Sequence, residues 1–195
     1  PRKITKYERI PGLEGREGKH ADSLYNEDGT GAVRVQFTVP NESVIAIISA
    51  ATGGAVPALT KPTEGWPVLV FQHGFGQSKN NALLIASALA MAGYASAAID
   101  HPLHGDRIIK IGDESFDSSV FNSLNLLSTR DNGRQSIADI MAFRLSLNAI
   151  NDSTGLVDLD TSEVHFMGQS LGAIFGTGAV ALSNKSLTGD LAAFD

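Results

Sequence analysis

From residue 67 onward, apolar β-branched runs and helix-forming stretches take turns along this chain, and that order restricts its fold more than any other feature. Pro67 to Gln72 is a short apolar run bounded by turn residues, as expected of a strand covered on both faces. Asn81 to Ala92, rich in Ala and Leu, closes on Gly93 and reads as a helix with a glycine stop. Tyr94 to Ile99 reads as a strand ending at Asp100. Asp131 to Ile150 sets Ile137, Ile140, Met141, Phe143, Leu145 and Leu147 mostly at helical spacing, and Asn151-Asp152 with Gly155 end it. Val164 to Met167 gives a further strand and Leu171 to Leu182 a further helix. A βαβαβα order calls for a mainly parallel sheet with helices on both faces.

The first third is less regular. Residues 1–31 are polar and Gly-rich without a sustained period, and read as a wrapping arm or loop. Val33, Val35, Phe37 and Val39 alternate with polar residues, the pattern of a half-buried strand that Pro40-Asn41 ends. Val44 to Ser49 reads as another strand. The apolar run Val44 to Leu59 is too short for a membrane span and is broken by Gly53-Gly54 and Pro57. Residues 32–195 therefore form one α/β unit. Within it, 103–128 lacks convincing periodicity and follows a strand's C-terminal end, where a lid-like loop is expected.

Composition removes several function classes. A formal net charge of −6, with no cluster of Lys and Arg among aromatics, leaves nothing to neutralise a phosphate backbone, so nucleic acid is not an expected partner. The absence of cysteine excludes disulfides, thiolate metal sites and a Cys nucleophile. A nucleophile, if there is one, is Ser or Thr.

Gly168-Gln169-Ser170-Leu171-Gly172 joins an apolar strand to a helix, which is the context a nucleophile elbow requires. The turn is so sharp that small residues must flank the serine, and its strained backbone lifts Oγ clear of the sheet. Gly168 and Gly172 supply those flanks. The Leu171 N–H then stands at a helix N-terminus, aimed at developing negative charge. His73-Gly74-Phe75-Gly76 follows the strand Val68 to Phe71 and precedes a helix, the position of an oxyanion loop. Glycine beside Phe75 lets the backbone fold so that the Phe75 and Leu171 amides serve one tetrahedral intermediate. His73 is expected to orient this loop and not to catalyse.

Other polar groups read more plainly. Asp100, His101 and His104 close a strand, but no cysteine and no distant third histidine supports a metal site. Structural hydrogen bonds lining a pocket are expected of Asp100 and His104. Arg130, Asp131, Arg134 and Gln135 suit a solvated helix start with local ion pairs better than a head-group site. His165 is expected in the core or at a sheet edge, and His20 on the surface.

The blocks QHGFGQSKNNALLIASALAMAGYASAAIDHPLHGDR and VHFMGQSLGAIFGT resemble the α/β-hydrolase superfamily over residues 32–183. The block from His73 to Arg107 is similar, more closely, to secreted bacterial lipases with a virulence-factor lipase N-terminal region, a group with phospholipase A1 and lysophospholipase activities. That resemblance implies a serine hydrolase of fatty-acyl esters acting through an acyl-enzyme on Ser170, with Phe75 and Leu171 as the oxyanion hole and no cofactor or metal. It also implies a secreted or cell-surface protein that touches membrane surfaces through its lipid substrate. A small-ester carboxylesterase or thioesterase, and a noncatalytic hydrolase-like domain, are the alternative readings.

The resemblance has one departure. The triad acid and histidine of this fold follow the elbow, yet only 25 residues follow Ser170 and all five histidines precede it. The expectation is a fold truncated after the elbow helix, with an exposed strand edge, nearly inert alone, and completed by a C-terminal remainder of the same protein. An unusual base at His101 or His104 is the other option.

Overall fold

A computed structural model of the protein describes residues 33–111, 113–117, 126–154 and 158–185. The expected arm, 1–31, lies outside the described residues. In chain order the elements are β1 (Val35–Thr38), α1 (Glu42–Ala51), β2 (Trp66–Gln72), α2 (Leu83–Met91), β3 (Ala95–Ile99), β4 (Ile109–Ile111), β5 (Glu114–Phe116), α3 (Leu126–Thr154), β6 (Leu159–Gly168) and α4 (Leu171–Ser183). The architecture is mixed α/β with a mostly parallel main sheet.

That sheet runs β1-β3-β2-β6, with β2 parallel to both β3 and β6 and β1 antiparallel to β3. Its centre is buried from both sides. Val68 and Val70 of β2 pack with Phe143 and Leu147 of α3, whereas Leu69 and Phe71 meet Ala82 and Ile85 on the opposite face. β3 is made of small residues, Ala95, Ser96, Ala97 and Ala98, all buried, so neighbouring layers approach it closely. Its one polar member is satisfied: Ser96 Oγ and Thr38 Oγ1 are 2.5 Å apart across the β1–β3 pair.

Proline in a central strand needs an accommodation, because it has no N–H for the ladder. β6 makes it by bulging: Pro67 pairs with Asp160, but Val68 pairs with Val164. The residues looped out are held locally. Asp160 Oδ1 accepts from Ser162 N and Oγ, and Arg144 Nη2 of α3 donates to Thr161 O at 2.8 Å. The strand is thus longer than the expected Val164 to Met167. β6 is the last strand of the sheet among the described residues.

Three expectations need correction. Val44 to Ser49 is not a strand but part of helix α1, whose N-cap Asn41 accepts from Val44 N at 3.1 Å with Glu42 in the first turn. Only Ile45 of that helix is buried, while Val44 and Ile47 are 50% and 69% exposed, so the apolar run does not mark a two-sided strand. The long helix starts at Leu126 and not at Asp131. Finally, the described part of 103–128 is not uniformly irregular: it includes a 3₁₀ turn, Gly105–Arg107, and an antiparallel β4–β5 hairpin, while 118–125 of the expected lid-like loop lie outside the described residues. No described helix is long and apolar enough to cross a membrane.

Candidate functional site

Ser170 sits between the end of β6 and the first residue of α4, exposed, with φ 50° and ψ −115°. A non-glycine residue there is strained by about 1–3 kcal/mol and persists only where its surroundings dictate it. The flanking glycines are what dictate it. A Cβ on Gly172 would fall 2.2 Å from Gln72 O and 2.6 Å from His73 O, and one on Gly168 would fall 2.5 Å from the Ala173 backbone. No side chain fits at either position, so the chain turns back on itself against the end of β2. Gln169 N donates to Gln72 O at 3.0 Å and closes the junction.

The 73–79 loop leaves β2 at the same end of the sheet. Gly74 is in contact with the elbow: a Cβ there would stand 3.2 Å from Ser170 Cβ and 3.3 Å from Gln169 O. Gln77 shapes the loop, its Oε1 accepting from Gly74 N at 2.9 Å while its own N–H donates to Gly74 O at 3.2 Å. Phe75 is 46% exposed at the tip, next to Gly76 with φ 71°. Among the described residues, neither the Phe75 nor the Leu171 N–H donates to a backbone carbonyl. The structure therefore brings Ser170, Gly74, Gly168 and Gly172 together, with Phe75 and Leu171 adjoining them in sequence.

Behind the loop lies a buried polar cluster. His73 is fully buried; its Nε2 accepts from His101 N at 3.0 Å, so the ring proton is on Nδ1, which donates to Gly74 O at 2.8 Å. His101 Nε2 in turn donates to His73 O at 3.1 Å. Burial pushes His73 down to about 4 and His101 to about 2, with neighbouring histidines adding to the effect on both. Burial also lowers His104, whose Nδ1 donates to Pro102 O. Asp100 Oδ1 lies 3.8 Å from His73 Nε2, but a neutral ring accepting a proton there makes no ion pair with it.

Asp100, 1% exposed, is gripped by Lys79 N, Lys79 Nζ and Asp106 N at 2.7, 2.8 and 3.0 Å. Lys79 also reaches Asp106 at 2.7 Å. Burial opposes the charge on Lys79, but its bonds to Asp100 and Asp106 outweigh that and raise its pKa. The same bond holds the Asp106 carboxyl below its usual range. Asp100 has the structural role expected of it, whereas Lys79, Gln77 and a buried ion pair between Arg107 and Asp139 of α3 were not expected; a lysine six residues past the loop histidine carries no pattern of its own.

The remaining candidates lie elsewhere. His165 is at the sheet edge on β6, its side chain 41% exposed, 3.4 Å from Glu163 and ring-to-ring with Tyr94. Arg130 and Arg134 pair with Asp131 on the exposed start of α3, as local ion pairs. A trough of about 900 Å³ runs beside β6 and α4, lined by Val164, Phe166, Val180 and Arg144 among others. It reaches Gly168 and Ala173 but includes neither Ser170 nor Leu171, so it is an opening beside the edge strand, separate from the hydroxyl. Among the described residues no group of three or more His, Cys, Asp or Glu is arranged to hold a metal ion.

No protein-family model matches the chain, and no curated protein matches it. Among solved structures the chain is similar to the ferulic acid esterase from Streptomyces cinnamoneus, at 18% identity and a TM-score of 0.42, over 76% of this chain and 47% of that one. The chain thus spans about half the length of that structure.

Proposed function

We propose that this chain carries the nucleophile and oxyanion half of a serine ester hydrolase of α/β-hydrolase type. The observation that carries the reading is Ser170: an exposed hydroxyl on a strained backbone, between a parallel strand and a helix N-terminus, with Gly74 packed against its Cβ. In this mechanism Ser170 Oγ attacks the ester carbonyl, the Phe75 and Leu171 amides stabilise the oxyanion, the alcohol departs, and water releases the acyl group.

The attack needs a general base, and the described histidines suit it poorly. His73, His101 and His104 spend ring nitrogens on main-chain groups, and burial lowers the proton affinity of all three. We place the base and its carboxylate in a part of the protein C-terminal to α4, which would also cover the open side of β6.

We assign the substrate to fatty-acyl esters of lipids, met at a membrane surface by a secreted or surface-held protein. Support comes from the apolar rim of the elbow, where Phe75 is 46% and Ile174, one turn into α4, is 68% exposed. A fluorophosphonate probe applied to the full-length protein is expected to label Ser170 and to fail on Ser170→Ala; an unlabelled Ser170 overturns the reading. Rates on p-nitrophenyl esters are expected to rise with acyl length. A fall beyond the shortest esters would favour the small-ester carboxylesterase.

A further inference from the structure

The loop that bears Phe75 is held at both of its ends by two consecutive residues from the end of β3. At the near end, His101 N–H donates to His73 Nε2 and His101 Nε2 donates to His73 O. At the far end, Asp100 accepts from both the backbone N–H and the ammonium of Lys79. Asp100 is itself braced: Arg107 Nη1 donates to its carbonyl at 2.8 Å, and Gly105, at φ 51°, passes so close that a Cβ would fall 2.4 Å from the carboxylate.

This grip bears on one peptide plane. His73 Nδ1–H, fixed on that nitrogen because His101 occupies the other, donates to Gly74 O, and Gln77 N–H donates to the same oxygen. The Gly74–Phe75 peptide is trans, so anchoring its carbonyl sets the Phe75 N–H in the opposite direction. A donor aimed before the reaction needs no reorganisation when charge develops, which is where oxyanion stabilisation draws its strength.

We infer that the Asp100-His101 pair, acting through Lys79 and His73, is a positioning device that fixes the direction of the Phe75 amide for the tetrahedral intermediate. This rests on the proposed ester hydrolysis. None of the four side chains touches the substrate; they act through the main chain of the loop. Preventing His73 from holding Gly74 leaves that carbonyl to Gln77 N–H alone, and preventing Lys79 from holding Asp100 releases the far end of the loop; either change loosens the peptide without touching the elbow's own bonds.

The test uses the full-length protein, with p-nitrophenyl ester turnover and the affinity of an alkylboronic acid, which forms a tetrahedral adduct on a serine. His73→Leu and Lys79→Met are expected to lower kcat by about tenfold to a hundredfold, part of the loss that follows removal of a whole donor, with KM little changed. Boronate affinity is expected to fall in parallel. His73→Asn keeps an N–H near the Nδ1 position, and Lys79→Arg keeps a cation for both carboxylates; each is expected to recover most of the loss. Circular dichroism and urea midpoints identify variants that have lost the fold, and the milder pair then carries the comparison against wild type. Folded variants that change KM alone, or that keep wild-type boronate affinity, overturn the inference and leave the hydrolase reading standing. A wild-type protein that neither turns over ester nor binds boronate removes both.

Discussion

Arg107 Nη1 lies 2.8 Å from Asp139 Oδ2 with side chains only 5% and 7% exposed, so the loop after β3 is tied to the middle of α3. Removing one partner of such a pair leaves a buried uncompensated charge and costs about 3–5 kcal/mol, whereas replacing both by apolar residues is often close to neutral. Asp139→Leu is expected to cost that much in urea unfolding. Arg107→Met/Asp139→Leu should recover more than half, the remainder reflecting the lost bond to Asp100 O. A single variant as stable as the wild type would mean that the pair is energetically idle.

Ser170 should trade stability for its exposed hydroxyl. Glycine accepts φ 50° without a Cβ penalty, so Ser170→Gly is expected to raise stability by about 1–2 kcal/mol while abolishing fluorophosphonate labelling. Ser170→Ala keeps the Cβ and the strain, and should lose labelling with little change in stability. Equal urea midpoints for the two variants would show that the backbone at this position is not strained in solution.

Two glycines of α4 make opposite predictions. At Gly172 an added methyl meets the carbonyls of Gln72 and His73, rigid backbone that cannot yield. Gly172→Ala should cost about 3 kcal/mol or more, the upper range of overpacking. At Gly178 the nearest atom is Ile137 Cδ1 at 3.0 Å, the end of a flexible side chain. There the helix preference of alanine, about 1 kcal/mol, offsets the crowding, and thermal unfolding of Gly178→Ala should fall within a few degrees of wild type.

The buried histidines give stability a slope in acid. The folded rings of His73 and His101 titrate near 4 and 2, while an unfolded histidine takes its proton near 6.5. The unfolded state therefore binds more protons below 6.5, so this contribution is complete above that pH and erodes as pH falls toward the folded values. His73 alone accounts for about 3 kcal/mol between its two limits. Asp106, held low by Lys79, adds a further loss once pH drops below the ordinary carboxylate range. Urea midpoints at about pH 7, 5.5 and 4.5 should descend, and His101→Gln should flatten the slope; a flat wild-type profile contradicts the assignment.

How much of this was legible in the sequence depended on what each residue does. β2, β3 and α4 were readable from their runs of apolar and small residues, with Gly93 standing between α2 and β3 and Gly168 closing β6 ahead of α4. Val44 to Ser49 misled because six apolar or small residues fit a strand as well as a helix. Asn41-Glu42 before the run and Gly53-Gly54 after it were the cap and stop that would have decided the matter. At the elbow, glycine spacing is local and so visible, whereas the grip of Lys79 on Asp100 joins residues 21 positions apart. No pattern in one sequence announces such a pairing.

The crowding around Asp100 also bears on how this chain can drift. Its carboxylate serves three donors, and the glycine lying over it has no space for a side chain. Substitution at 100 or 105 thus strands buried donors or forces a side chain against the carboxylate, whereas position 79 accepts only a replacement that keeps a cation. In descendants of this protein a cation at 79, the carboxylate at 100 and the glycine at 105 should be inherited as a block or replaced together.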